Sequence, residues 1–135
     1  MINSTFRPTH KSQFKSDNVM FNGLSCFGQC DASSSATADL TLVDDHLITG
    51  GSLIVKNGKF GDKVRLQVVH PTMGVVSQFV TDYGIVSDSE FQLKMSEDYP
   101  SKIPAGLSLR IVYIANAAAG TREFCINYDL HKILI

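Results

Sequence analysis

The stretch Gly58-KFGDKVRLQVVH-Pro71 decides the fold. Within it Val64, Leu66 and Val68 fall on one set of alternate positions and Lys63, Arg65 and Gln67 on the other. Side chains alternate between the two faces of a β-strand, so this period of two describes a strand with one apolar and one wet face. A helix would scatter the same charges around its axis. Pro71 removes a backbone donor and closes the strand beside His70.

The same period recurs outward in both directions. Leu40 and Leu42 alternate with Asp39 and Thr41; after a break at Gly50-Gly51, Leu53 and Val55 alternate with Ser52, Ile54 and Lys56. Val75 to Tyr83 reads as a strand with apolar residues on both faces, and Phe91, Leu93 and Met95 give another. Ser96 to Gly106 holds prolines and a glycine and reads as a loop. Beyond it Leu107, Leu109, Ile111 and Tyr113 share a face, as do Phe124, Ile126, Tyr128 and Leu130. No segment keeps helical spacing over ten residues, which argues against βαβ units. Half-apolar strands at this spacing build two antiparallel sheets packed face to face. The expected fold is therefore all-β: an antiparallel β-sandwich. A jelly-roll-like connection is preferred to an immunoglobulin-like one, because the chain has no Trp and no Cys pair at sandwich spacing.

Residues 1–38 differ in composition. Asn, Ser, Lys and Gln dominate, and the segment closes on ASSSATA, Ala32 to Ala38. Such a segment buries little apolar area per ordered residue, so an extended N-terminal arm is expected over 1–38 and the sandwich domain over 39–135. Phe14, Met20, Phe21, Leu24 and Phe27 in that arm need a surface to lie on, and are candidate subunit contacts together with Lys63 and Arg65 on the wet face.

The 135 residues carry 12 basic and 13 acidic side chains, a formal net charge of −1, which offers no global field to attract nucleic acid. No apolar run approaches the length that spans a bilayer, and the first fifteen residues lack a signal-peptide core, so synthesis in the cytoplasm and no membrane partner are expected. Cys26, Cys30 and Cys125 are too few for a disulfide framework and are read as thiols. Cys26 and Cys30 lack the second ligand pair that zinc requires. Asp44-Asp45-His46 reads as a turn, since carboxylates bond local N–H groups there. Asn57-Gly58 reads as a tight hairpin turn, with Lys56, Lys59, Lys63 and Arg65 forming a basic patch beside it. Glu97-Asp98 lies in the proline-bounded loop and reads as solvated. Neither an activated-serine turn nor a phosphate-binding glycine loop accompanies the four histidines, so no enzyme, cofactor or metal is expected.

The order of motifs, GKFGDKVRLQVVHP, then IPAGLSLRIVYI, then REFCINYDLHK, resembles small structural proteins encoded among the virion genes of tailed bacteriophages and prophages. The resemblance covers about Asp39 to Lys132. It implies a jelly-roll subunit of a capsid, decoration layer, collar or tail, located in the virion and present in many copies. It further implies homo-oligomeric contacts and contacts with capsid, portal, collar or tail subunits. Phe60-Gly61-Asp62 and Pro104-Ala105-Gly106 would be the turns that start two strands. The alternative is a carbohydrate-binding sandwich that takes host glycans through Tyr83, Tyr99, Tyr113 and Tyr128.

Overall fold

The computed structural model describes residues 19–94 and 101–134. Ten strands lie among them: β1 (Val19–Phe21), β2 (Leu24–Cys30), β3 (Ser35–Thr41), β4 (His46–Lys56), β5 (Asp62–His70), β6 (Gly74–Ile85), β7 (Ser89–Lys94), β8 (Ser101–Ile103), β9 (Ser108–Ile114) and β10 (Arg122–Ile133). One sheet runs β1-β10-β4-β7, with β2 also on β10 and β8 also on β4; the other runs β3-β9-β5-β6. All pairings are antiparallel.

The antiparallel pairs β5·β6, β4·β7, β3·β9 and β2·β10 nest one inside the next. The chain is thus one long hairpin wound into two facing sheets, which is the jelly roll. Alternation reproduces the expected faces: Val64, Leu66, Leu109, Ile111, Tyr113, Phe124, Ile126, Tyr128 and Leu130 are all buried between the sheets. They form one core with Leu42, Ile48, Leu53 and Val55.

Four expectations change. Residues 19–38 are not an arm: β1 and β2 both pair with β10, and β3 crosses the expected boundary at 38/39. Their alternate burial puts only half of each strand inward, so few large apolar residues suffice for a strand, and composition alone misleads. Phe14 lies outside the described residues, as do Met95, Tyr99 and Glu97-Asp98. Gly50-Gly51 does not break β4 but lies inside it, opposite the register shift at Asp129/Leu130. A side chain on Gly51 would strike the Asn127 carbonyl. The loop expected over 96–106 contains a short strand, β8, on the edge of β4.

The fourth change concerns Asn57-Gly58. β4 and β5 belong to different sheets, so this turn carries the chain across the sandwich rather than closing a hairpin. Asn57 takes the left-handed conformation (φ 61°), which asparagine tolerates. Gly58 is required by space: a Cβ there would lie 2.7 Å from the Ser87 carbonyl oxygen and 2.8 Å from Ile85 Cγ2. Overpacking against backbone costs about 1–3 kcal/mol. Gly58→Ala should lower the unfolding free energy by that amount in urea titration, whereas Gly84→Ala, with open space around its Cα, should cost less.

Candidate functional site

Two charged residues stand in phase with the core rather than with the surface. Asp62 precedes Val64 and Leu66 by even steps on β5, and Arg122 precedes Phe124 and Ile126 likewise on β10. Both are 0% exposed. They meet across the sandwich: Arg122 Nε donates to Asp62 Oδ2 at 2.9 Å and Nη2 to Oδ1 at 3.3 Å. Tyr113 of β9 donates its hydroxyl to Oδ2 at 2.7 Å, and the backbone N–H groups of Asn116 and Lys59 complete the carboxylate's shell at 2.9 and 3.1 Å. Arg122 spends its remaining donors on the 116–120 loop, reaching the carbonyls of Ala118 (2.7 Å) and Gly120 (2.6 Å) and Asn116 Oδ1 (2.8 Å). Tyr113 also stacks on Phe124, with ring centroids 5.3 Å apart.

Burial alone would raise the Asp62 carboxyl; the Arg122 guanidinium, the Asn116 N–H, the Tyr113 hydroxyl and the Lys59 N–H outweigh it and hold it down at about 2. The Tyr113 hydroxyl is pushed up by burial and by the carboxylate it serves. Every charge here has a protein partner, so the cluster is a clamp with no open coordination position. It was readable in the sequence only as phase: an Asp and an Arg on the apolar side of two strands. Phe60-Gly61-Asp62 is therefore more than a turn, since its last residue anchors the core.

Both outer faces carry expected contact residues, and they differ. On the β3-β9-β5-β6 sheet the polar groups pair with one another across strands. Arg110 forms a two-pronged ion pair with Asp39 (2.7 and 2.9 Å), Arg65 meets Asp82 (2.7 Å), Gln67 donates to Gln78 (2.8 Å), and Thr41 meets Ser108 (2.8 Å). Lys63 is exposed beside them. The expected basic patch is split, because Lys56 lies in register with Glu123 on the other sheet.

On that other sheet, register places Phe27, Cys125 and Ile54 in one row across β2, β10 and β4. Phe27 is 79% exposed, and with Ile54 and Cys125 it lines a shallow depression of about 310 Å³, flanked by Gln29, Lys56 and Glu123. Cys125 faces outward here because β10 turns its odd positions to the surface. Phe21 lies farther along the same sheet, its ring edge-on to His131 at 5.4 Å. Met20 is exposed, whereas Leu24 turns inward onto the core. A separate exposed set, Met73, Val75 and Val76, sits at the β5–β6 hairpin tip.

The other sequence candidates resolve as local structure. Asp45 accepts the Ala105 N–H (2.8 Å) and Asp44 pairs with Lys132 (3.3 Å), so Asp44-Asp45-His46 is a stitched turn. His46 is buried, donating from Nδ1 to the Asp44 carbonyl and accepting the Asn22 amide at Nε2. His70 caps the turn that ends β5 by accepting the Thr72 and Met73 N–H groups. Cys26 and Cys30 are free thiols; burial, then the neighbouring Cys125 and Asp39, push Cys26 up to about 11. Among the described residues no three metal-ligating side chains gather. Tyr113 and Tyr128 are buried and present no sugar platform, while Tyr83 is partly exposed on β6.

No family model and no curated protein matches the chain. Its fold is similar to solved structures that include viral capsid proteins. The VP2 subviral particle of infectious bursal disease virus matches with a TM-score of 0.51 and 11% identity, over 87% of this chain and 33% of that one. The chain thus spans about a third of that protein's length. The capsid of cyanophage Pam1 matches with a TM-score of 0.43 and 15% identity, over 84% and 83% of the two chains. A CocE/NonD family hydrolase from Staphylococcus aureus matches with 0.45 and 10%, over 86% and 37%. At 11% identity the first likeness speaks to the fold alone.

The clamp predicts a specific acid response. A carboxyl held below its ordinary value of about 3.9 contributes stability that is complete above that value and is lost as the pH falls toward 2. The loss should reach about 2 kcal/mol for Asp62, measured as a falling urea midpoint between pH 4 and pH 2. Asp62→Asn should flatten that limb and, at pH 7, cost about 3–5 kcal/mol by leaving Arg122 buried without its counter-charge.

Proposed function

We propose that this chain is a non-enzymatic structural subunit of a virion, of the capsid-decoration, minor-capsid, collar or tail-associated kind found in bacteriophages, acting through repeated contacts with other copies and other shell proteins. The observation that carries the reading is the contrast between the two outer faces. One sheet pairs Arg110, Arg65 and Gln67 across its strands and keeps its exposed apolar Val75 and Val76 to the β5–β6 hairpin tip, while the other leaves Phe27 and Ile54 at the surface around an apolar depression, with Phe21 exposed farther along it. Exposed apolar area of that kind marks a face that other protein covers. The jelly roll supplies a rigid block of the type that viral shells use, and the VP2 likeness accords with that on the level of fold. Where many copies are arrayed, weak contacts of this size add up through multivalency.

Mass spectrometry of purified particles tests the reading directly: the chain should be found in them in many copies, and its absence would overturn the proposal. Within particles the two faces should behave differently. Phe27→Asp should reduce incorporation roughly tenfold or more while leaving the melting temperature unchanged, since the ring touches solvent rather than core. Arg65→Gln, on the self-paired face, should be incorporated as the unaltered chain is.

A further inference from the structure

The clamp beneath Arg122 has a second consequence, at the end of the sandwich where four connections meet. Asn116 donates its side-chain amide to the Phe60 carbonyl, and the Gly61 N–H reaches the Ile85 carbonyl (3.2 Å). The Asn57 amide reaches the Thr121 carbonyl (3.2 Å), the Thr121 hydroxyl reaches Asp31 (2.9 Å), and the Ser33 N–H reaches the Asn116 carbonyl (2.7 Å). The loops are therefore held to one another and, through Asp62 and Arg122, to the core. Yet these stitched loops also carry exposed apolar groups: Phe60 is 78% exposed and Val86 65%, and Ala117, Ala118 and Ala119 are exposed as well. On a backbone this firmly fixed no loop has to be ordered when the aromatic group binds, which leaves only its own side-chain rotations to lose, and aromatic groups supply anchors of protein interfaces.

We propose that Phe60 of one copy seats in the depression formed by Phe27, Ile54 and Cys125 of another. Three features favour a second copy as the occupant. The depression is apolar at its centre and shallow, open enough for a single projecting ring. Lys59, next to the anchor, and Glu123, on the rim, carry opposite charges, and so do Asp88 at the tip and Lys56 on the rim. Finally, the two surfaces lie on different parts of the same chain, so every copy offers both halves of the contact. Contacts that join unlike surfaces produce rings when the rotation closes and extended rows when it does not. The inference deepens the structural reading above and rests on it for the presence of many copies.

Cys125 makes the test direct, because the depression already holds a thiol. In the purified full-length chain, Phe60→Cys under mild oxidation should yield disulfide-linked dimers or a ladder on non-reducing gels. The combined Phe60→Cys and Cys125→Ser variant should not. Sedimentation of Phe60→Ala should show self-association weakened roughly tenfold with an unchanged melting temperature. Lys59→Glu should weaken it as well, and adding Glu123→Lys should restore it. A Phe60→Cys chain that stays uncross-linked, a cross-link that survives Cys125→Ser, or Phe60→Ala that associates as the unaltered chain does would each overturn the contact. If particles contain the chain while these results fail, the contact falls and the virion reading stands. If particles lack the chain, the virion reading falls whatever the gels show.

Discussion

The buried pair of Asp62 and Arg122 is the constraint around which the rest of the molecule is arranged. Removing two charges from water carries a penalty of several kcal/mol each, offset only when geometry is good and the remaining donors and acceptors are filled. Here they are filled from three directions: β9 through Tyr113, the turn before β5 through Lys59, and the 116–120 loop through its carbonyls. Meeting that demand fixes the relative position of the two sheets at one end. It also fixes the loops there, because the guanidinium's outer nitrogens reach the Ala118 and Gly120 carbonyls and the Asn116 side chain. A hydrophobic pair could join the sheets with equal strength, but it would impose no particular shape on the connections above it.

The alternating pattern made most of the framework legible. Each strand from Val64 to Val68, Leu109 to Tyr113 and Phe124 to Leu130 turns inward at the positions its sequence marks, because burial selects apolar residues at every second site. What stayed hidden has two physical sources. Strands β1 to β3 lie at or next to sheet edges and bury few large side chains, so their composition resembles that of a loop although backbone pairing with β10 and β9 orders them. The clamp joins residues 60 positions apart, and no local pattern reports that two distant strands will bring an acid and a base together. Its one trace was phase, since Asp62 and Arg122 share the parity of the core. Parity likewise separates Cys125 from its buried neighbours Phe124 and Ile126, although a cysteine's small apolar character suggests the opposite side.

The candidate contacts were legible as residue types and not as places. Phe27 and Phe21 share one sheet with Ile54, Leu24 belongs to the core, and Lys63 and Arg65 stand on the far sheet. Sequence proximity grouped the lysines of residues 56–65, but a turn that passes from one sheet to the other at Asn57 sends them to opposite sides. The contrast between a self-paired face and an apolar one arises only when register is known, because Arg110 finds Asp39 and Gln67 finds Gln78 across strands that sequence does not align.

The nested pairing has a consequence for how the molecule comes into being. β10 is the central strand of its sheet, flanked by β4 on one side and by β1 and β2 on the other, and its partners in β2 lie about a hundred residues earlier in the chain. During synthesis, β1, β2 and β4 must therefore wait without their main partner until residues 122–133 have left the ribosome. Closing so long a loop before any reward from pairing makes folding slow, and the unpaired strands are prone to wrong association in the interval. The surfaces that depend on β10, including the row through Phe27 and Ile54 and the loops held by Arg122, come into existence only once β10 has paired. Synthesis itself thus keeps immature chains from presenting a finished outer face.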